Sequence, residues 1–295
     1  MKVALIGPIA KDQITIDNKF FVQIGGIPYY AGVALQSLGA EEIALYVTCG
    51  SKDQEWVREN LDGLNVNFLP ADHTLVSNIA YSSAKPDVRE SFIEPYSNTI
   101  KTKLDLLASL EHFDWIILGP LFHDDIDFEL FRSLRHKLLA MDNFGMFTYS
   151  ESGKMVRRNP ENLLQVLPFL KYLFLDREEA YFVSGCHDVA RAGRFLQSKG
   201  VTNMIITDGS QGSHLFIGHK YYQVPAFAPR RIADTTGAGD TYMAAYLRAT
   251  ELFTDPFVRG RFAAMAATMS LENKGAFKSS VEEVENRLKE FIFDK

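Results

Sequence analysis

The 295-residue chain has a mass of 33.3 kDa, 46% hydrophobic and 23% charged residues, a formal charge of −6 and a pI near 5.7. That size and balance suit one large α/β domain, exclude a disordered chain, and leave no general attraction for nucleic-acid phosphates or anionic lipid. Two cysteines, Cys49 and Cys186, build neither a disulfide framework nor a zinc site, and no run approaches the ~18 apolar residues of a membrane span, so a soluble protein of the reducing cytoplasm is expected.

The N-terminal MKVALIGPIA lacks the length and cleavage region of a signal peptide, and Val3 to Gly7 reads as a first strand. Residues 12–24, DQITIDNKFFVQI, alternate apolar and polar residues, as do residues 74–93, TLVSNIAYSSAKPDVRESFI. Strands with one wet face alternate in this way. They form either a small sheet standing off the main body as a lid, with segments at about 12–24 and 74–98, or edge hairpins of the main sheet. Between them, GGIPYYAGVALQSLG (25–39) opens on Gly25 and Gly26, which let the backbone approach a small polar ligand closely, and continues as a helix. Residues 43–50 read as a strand and 53–64 as a helix.

Further on, 115–120 is a strand, 127–140 a helix and 144–149 a strand. FHDDIDFE (122–129) is read as a polar helix start capped by Asp124 or Asp125 rather than as a metal cluster. SESGKMVRRN alternates like a surface hairpin with a Ser-Gly turn. Strands at 172–176 and 204–209 alternate with helical segments that begin at 178 and 188, and a last helix covers 280–292. Buried β-branched strands alternating with helices predict a doubly wound, mostly parallel sheet with helices on both faces, as a single domain over 1–295.

The segment DTTGAGDTYMAAYL (234–247) is the most informative. Gly237 and Gly239 free the backbone so that the N–H groups of 237–239 converge at the start of a helix, a site of partial positive charge that favours phosphate. Asp240 would repel such an anion unless it has other work. A carboxylate beside a phosphate cradle can take the proton of an attacking alcohol; the alternative is a loop whose Asp caps the helix. The sequence contains no GxxxxGK[ST] loop and no GxGxxG, so 237–240 is the best phosphate site on offer.

With Asp234, Thr235, Gly237, Ala238, Gly239 and Asp240 in place, this segment resembles the second signature of the ribokinase-like (PfkB) carbohydrate kinases, with Tyr242 where the family usually has Phe. Weaker matches follow in the right order over nearly the whole chain. The resemblance implies a ribokinase-like fold with a small β-sheet lid, and ATP-dependent transfer of a phosphoryl group to a sugar or polyol hydroxyl. Asp240 is then the base, with Gly237, Ala238 and Gly239 as the anion hole. It implies Asp12, Gly25, Gly26 and Tyr30 at the acceptor, Tyr30 replacing the family's usual Asn, and Thr207, Gly209, Gly212 and Gly275 beside the nucleotide. Asp176, in place of an Asn, and Glu179 would organise Mg²⁺. Asp234 and Ser279, with Gly275, correspond to the loops that hold a monovalent cation such as K⁺. Lys85 and Arg89 are candidates for a sugar-phosphate acceptor, and an exposed lid edge would pair with a twin as a homodimer. Two rivals stand beside this expectation: a nucleoside kinase of the same fold, stacking a base on Phe20, Phe21, Tyr29 or Tyr30, and a sensor that binds nucleotide or sugar without turnover.

Overall fold

The structure is a computed structural model that describes residues 1–17, 19–82, 85–94, 96–142, 144–158 and 163–291. The chain opens with β1 (Lys2–Pro8), β2 (Ala10–Ile16), β3 (Lys19–Gly25), α1 (Ile27–Ser37) and β4 (Glu42–Thr48). A short α2 (Gln54–Asn60) leads to β5 (Asn65–Leu69), β6 (Leu75–Ser82), β7 (Lys85–Ile93) and α3 (Leu104–Leu110). Next come β8 (Trp115–Leu118), α4 (Phe128–Ser133), β9 (Leu138–Asp142), the hairpin of β10 (Thr148–Glu151) and β11 (Lys154–Arg157), and α5 (Leu163–Val166). Then β12 (Tyr172–Asp176), α6 (Arg177–Ser184), α7 (Val189–Ser198), β13 (Asn203–Thr207), β14 (Ser213–Ile217) and β15 (Lys220–Val224) precede α8 (Ala238–Leu252), α9 (Pro256–Leu271) and α10 (Val281–Lys289).

Among the described residues, nine strands form the main sheet in the order β15-β14-β13-β12-β9-β8-β1-β4-β5. From β13 to β5 every pair is parallel, and β14 and β15 continue the sheet antiparallel at one edge. Parallel strands need cover on both faces, because both rows of side chains are apolar. Val3 and Leu5 point with Ile117, Ile205 and Leu215 into a core closed by α1, α8 and α9. Their neighbours Ala4 and Ile6 point with Ile116, Leu139 and Leu173 into a second core closed by α3 to α7. The sheet is therefore doubly wound, as the alternation of strands and helices predicts.

The two alternating segments form a separate sheet of four strands, β3-β2-β6-β7, and not edge hairpins of the main one. Strand β2 pairs antiparallel with β3 and parallel with β6, and β6 pairs antiparallel with β7. Only Ile9 separates β1 from β2, so the small sheet hangs directly from the C-terminal end of a central strand. Its base is fastened by Asp53, which pairs with Lys11 at 2.6 Å and accepts from Thr74 Oγ1 at 2.5 Å.

Three expectations need correction. The helix expected over 127–140 stops at Ser133, because Lys137 N–H closes a turn on Leu134 instead; LLAMD becomes β9, between β8 and β12. The strand expected at 144–149 is a 3₁₀ turn followed by β10. In FHDDIDFE it is Asp127 that caps α4, while Asp125 accepts from the Leu121 and Phe122 N–H groups. Strands β5, β14 and β15 had no clear sequence signal; β5 and β15 are the two edges of the sheet, and edge strands carry polar residues on the wet side.

Gly26, with φ of 103°, turns the chain from β3 into α1, and a β-carbon there would meet the Pro8 carbonyl oxygen at 2.5 Å. Gly26→Ala is expected to lower folding stability by at least ~1–2 kcal/mol; urea unfolding measures it, and an unchanged midpoint would contradict the expectation.

Candidate active site

The C-terminal ends of β9, β12 and β13 converge with the small sheet and the start of α8 around a cavity of about 370 Å³. Open α/β sheets bind ligands at this end of their strands. Its lining brings together Asp12, Tyr30, Asp142, Glu179, Thr207 and Asp240.

Helix α8 begins at Gly237, whose φ of 75° and ψ of 8° form the sharp turn into the helix. Asp234 Oδ1 accepts the Thr236 N–H at 2.9 Å and so starts that turn, while Thr241 donates both N–H and Oγ1–H to the Gly237 carbonyl. Residues 237–239 therefore sit where the first backbone N–H groups of a helix have no partner within the helix, and all three line the cavity. Asp240 is half-buried in the first turn of α8. Its carboxyl is raised well above the usual aspartate range, first by loss of solvent and then by the charge of Asp142. Tyr242 is buried behind it, and its hydroxyl shares a hydrogen bond with Ser213 at 2.7 Å, which accommodates Tyr where Phe is usual.

At the opposite side Asp12, on β2, is pushed up to about 6 by burial, an effect that the hydrogen bond from Ser77 only partly offsets. Gly25 leaves room for it: a β-carbon there would fall 2.6 Å from Asp12 Oδ2. Tyr30 is 3% exposed, and its phenol oxygen accepts from Gln23 Nε2 at 2.8 Å. Of the four aromatic residues considered for stacking a base, Tyr30 alone is among the described residues lining the cavity. Phe20 and Phe21 are exposed on β3, and the Tyr29 hydroxyl accepts the Ala276 N–H. The side chains of Lys85 and Arg89 lie outside those described.

Asp176 and Glu179 both line the cavity and also cap α6 reciprocally: Glu179 N–H donates to Asp176 Oδ1 at 2.7 Å and Asp176 N–H donates to Glu179 Oε2 at 2.9 Å. Burial, then Asp142 and Asp176, raise the Glu179 carboxyl well above its ordinary value. Thr207 reaches the cavity, whereas Gly209 and Gly212, both with positive φ, form the turn from β13 to β14 beside the Arg177–Asp208 ion pair. The Tyr29 hydroxyl lies beside the loop of Gly275 and accepts the Ala276 N–H, and its pKa is raised by burial and, to a lesser degree, by the charge of Asp234. Ser279 directly precedes Ser280, the cap of α10, and no hydrogen bond joins it to Asp234 among the described residues.

Among the cavity residues not expected from the sequence are Asp142, Ser77, Phe122 and Met155. Asp142 closes β9 much as Asp176 closes β12, and the parallel between LLAMD and YLFLD was the signal for it. Ser77 and Phe122 had none. Met155, read as part of a surface hairpin, lines the cavity because Gly153 O accepts the Ile93 N–H at 2.7 Å and ties that hairpin to the small sheet.

Residues 11–283 match the pfkB carbohydrate kinase family. The chain belongs to that family. A cytidine kinase of Thermococcus kodakarensis is 23% identical over 260 residues, 84% of this chain and 87% of its own. Among solved structures, a pyrophosphate-dependent kinase in the ribokinase family, in complex with sulfate, superposes with a TM-score of 0.81 at 25% identity over 96% of this chain and 99% of its own. Arabidopsis thaliana ribokinase, solved with ribose and ATP, superposes equally well, at 0.81, with 19% identity and 98% of each chain covered. This pfkB family member thus has a ribokinase fold over 96% to 98% of its length.

A carboxyl raised by the fold holds its proton at pH values where the unfolded chain has released it. Stability therefore falls as pH rises through the folded value and stays reduced above it. Asp240→Asn and Asp12→Asn are each expected to melt higher than the parent protein at pH 8. The gain should vanish as pH is lowered toward the ordinary aspartate value of 3.8. Scanning calorimetry across pH tests this, and a lower melting temperature at pH 8 would contradict it.

Proposed function

We propose that this chain transfers the terminal phosphoryl group of ATP to a hydroxyl of a small sugar or polyol, with Asp240 as general base and the 237–239 amides as the anion hole. The observation that carries the proposal is the meeting of Asp240, at a helix start suited to an anion, with Asp12, suited to hydroxyls, across one cavity. Asp12 accepts hydrogen bonds from neighbouring hydroxyls and fixes which one faces α8. Asp240, with a carboxyl whose proton affinity is raised, takes the proton of that hydroxyl as its oxygen meets phosphorus. The N–H groups of 237–239 hold the oxygens of the group in transit. The small sheet, as a lid over a single domain of residues 1–295, keeps water from competing.

Thr207, Gly209, Gly212 and Gly275 are assigned to the donor side. Mg²⁺ suits this cavity as an ion brought in by donor phosphates and water, since among the described residues no three His, Cys, Asp or Glu side chains could cage a metal. The crowded carboxylates of Asp142, Asp176 and Glu179 supply the negative charge for it, and bound Mg²⁺ would neutralise charge on the transferring group. Asp234, Gly275 and Ser279 are the proposed place for K⁺. The exposed edge of β3, with Phe20 and Phe21, is the proposed dimer surface, and the free thiols of Cys49 and Cys186 fit the cytoplasm.

A second donor and a second acceptor each rest on one likeness. The kinase with 25% identity is named for pyrophosphate, which the same anion hole would fit. The cytidine kinase, together with the apolar wall of Leu121, Phe122 and Met155, favours a nucleoside acceptor.

Donor cleavage is to be measured with Mg-ATP and with Mg-pyrophosphate, with and without K⁺, across sugars, polyols and nucleosides. The expected result is turnover of a polyhydroxy acceptor with ATP, reduced ~10²–10⁴-fold in Asp240→Asn. Undiminished turnover in Asp240→Asn would remove the base, and nucleotide or sugar binding without turnover of any acceptor would favour a sensor.

A further inference from the structure

Tyr30 occupies two places at once. It lies in the first turns of α1, after the turn at Gly26, and its ring is almost fully buried. At one end its phenol oxygen accepts the 2.8 Å hydrogen bond from Gln23 of β3, which stands opposite Asp12 in the small sheet. Along its side the ring covers Gly237, so closely that a β-carbon at residue 237 would fall 2.2 Å from Tyr30 Cδ1. Gly237 is the residue whose positive φ turns the chain into the anion hole and Asp240. Tyr29 meets the ring edge-on, with centroids 4.8 Å apart, and restrains it from a third side.

We propose that Tyr30 is a positioning residue that transmits the seating of the small sheet to the anion hole. A tyrosine ring swings as a rigid lever from the backbone, so a hydrogen bond at its far end fixes where that end lies and thereby the tilt of the ring's long axis against Gly237. When β3 is seated, Gln23 holds that tilt and the 236–239 turn has one shape. When β3 moves away, the ring is released and the turn gains room. Shorter side chains at position 30 would not span this distance. Gln23 is not among the described residues lining the cavity, so its effect on turnover reports positioning and not direct acceptor contact.

The proposal rests on the kinase reading above. Tyr30→Phe keeps the ring and cuts the bond, and Gln23→Leu cuts it from the other side. Loss of one neutral hydrogen bond, ~1 kcal/mol, corresponds to a roughly fivefold change in rate. Each variant is expected to lose roughly fivefold in kcat with acceptor KM within about twofold, and to cleave more donor per acceptor phosphorylated. The double variant should be no worse than either single one, because both cut the same link.

Thermal melts of all three variants accompany the kinetics, and Tyr30→Phe, the milder change, carries the test if Gln23→Leu unfolds. A rise in acceptor KM with kcat unchanged would overturn the proposal in favour of direct acceptor recognition. Additive losses, or no loss in Tyr30→Phe, would overturn it as well. If the parent protein cleaves neither ATP nor pyrophosphate with any acceptor, the kinase reading has failed; an active parent with unaltered variants sinks the relay alone.

Discussion

Negative charge is crowded into a place that disfavours it. Asp142, Glu179 and Asp240 reach one cavity, two of them with raised carboxyls, and Asp12 faces them from the small sheet. Burial and mutual repulsion both oppose this arrangement, and elsewhere in a fold such groups are exposed or paired. The strand ends, the glycine turns and the capping box of α6 together hold these carboxylates where they would not gather on their own. A site of this kind is costly for stability and useful for chemistry, since one carboxylate can serve as a base near neutral pH while others balance an incoming cation.

The supporting structure explains how such a cluster is tolerated. Two buried cores on opposite faces of the sheet, one against α1, α8 and α9 and one against α3 to α7, supply the stability that the site subtracts. Helix α8 is anchored in the first of these by Met243, Tyr246 and Leu247, so the turn that precedes it can be irregular without loosening the helix. Asp234 and Thr241 then fix that turn from both sides through bonds to backbone groups. The small sheet, joined to β1 by one residue and pinned through Asp53, brings Asp12 over the same point.

Much of this was legible in the residues. Short β-branched runs ending in Gly or Asp marked the central parallel strands, and period-two alternation at 12–24 and 74–93 marked half-exposed strands, though not whether they form a second sheet or edge hairpins of the first. DTTGAGD marked the helix start because glycine spacing and a carboxylate at an anion site are local properties. Long-range pairing was not legible. Leu138 to Ala140 looked helical because they continue the period of α4, and only the fit of LLAMD between β8 and β12 makes it a strand. Asp142 was lost with it. Tyr30 was visible as a departure from the family pattern, but Gln23 was only one position of an alternating segment, and their bond depends on how β3 folds back along β2 and on where α1 lies. Met155 looked like a surface residue because a hairpin alternates in the same way whether or not a second sheet lies beside it.

The central claim is that Asp240 moves a proton and does not itself carry the phosphoryl group. The stereochemistry of transfer separates these roles most directly, using a donor nucleotide made chiral at its terminal phosphorus with oxygen isotopes and sulfur. Direct attack by the acceptor oxygen gives inversion at phosphorus, which is the result expected here. Retention would mean two successive transfers through a phosphorylated side chain, and would contradict the role assigned to Asp240.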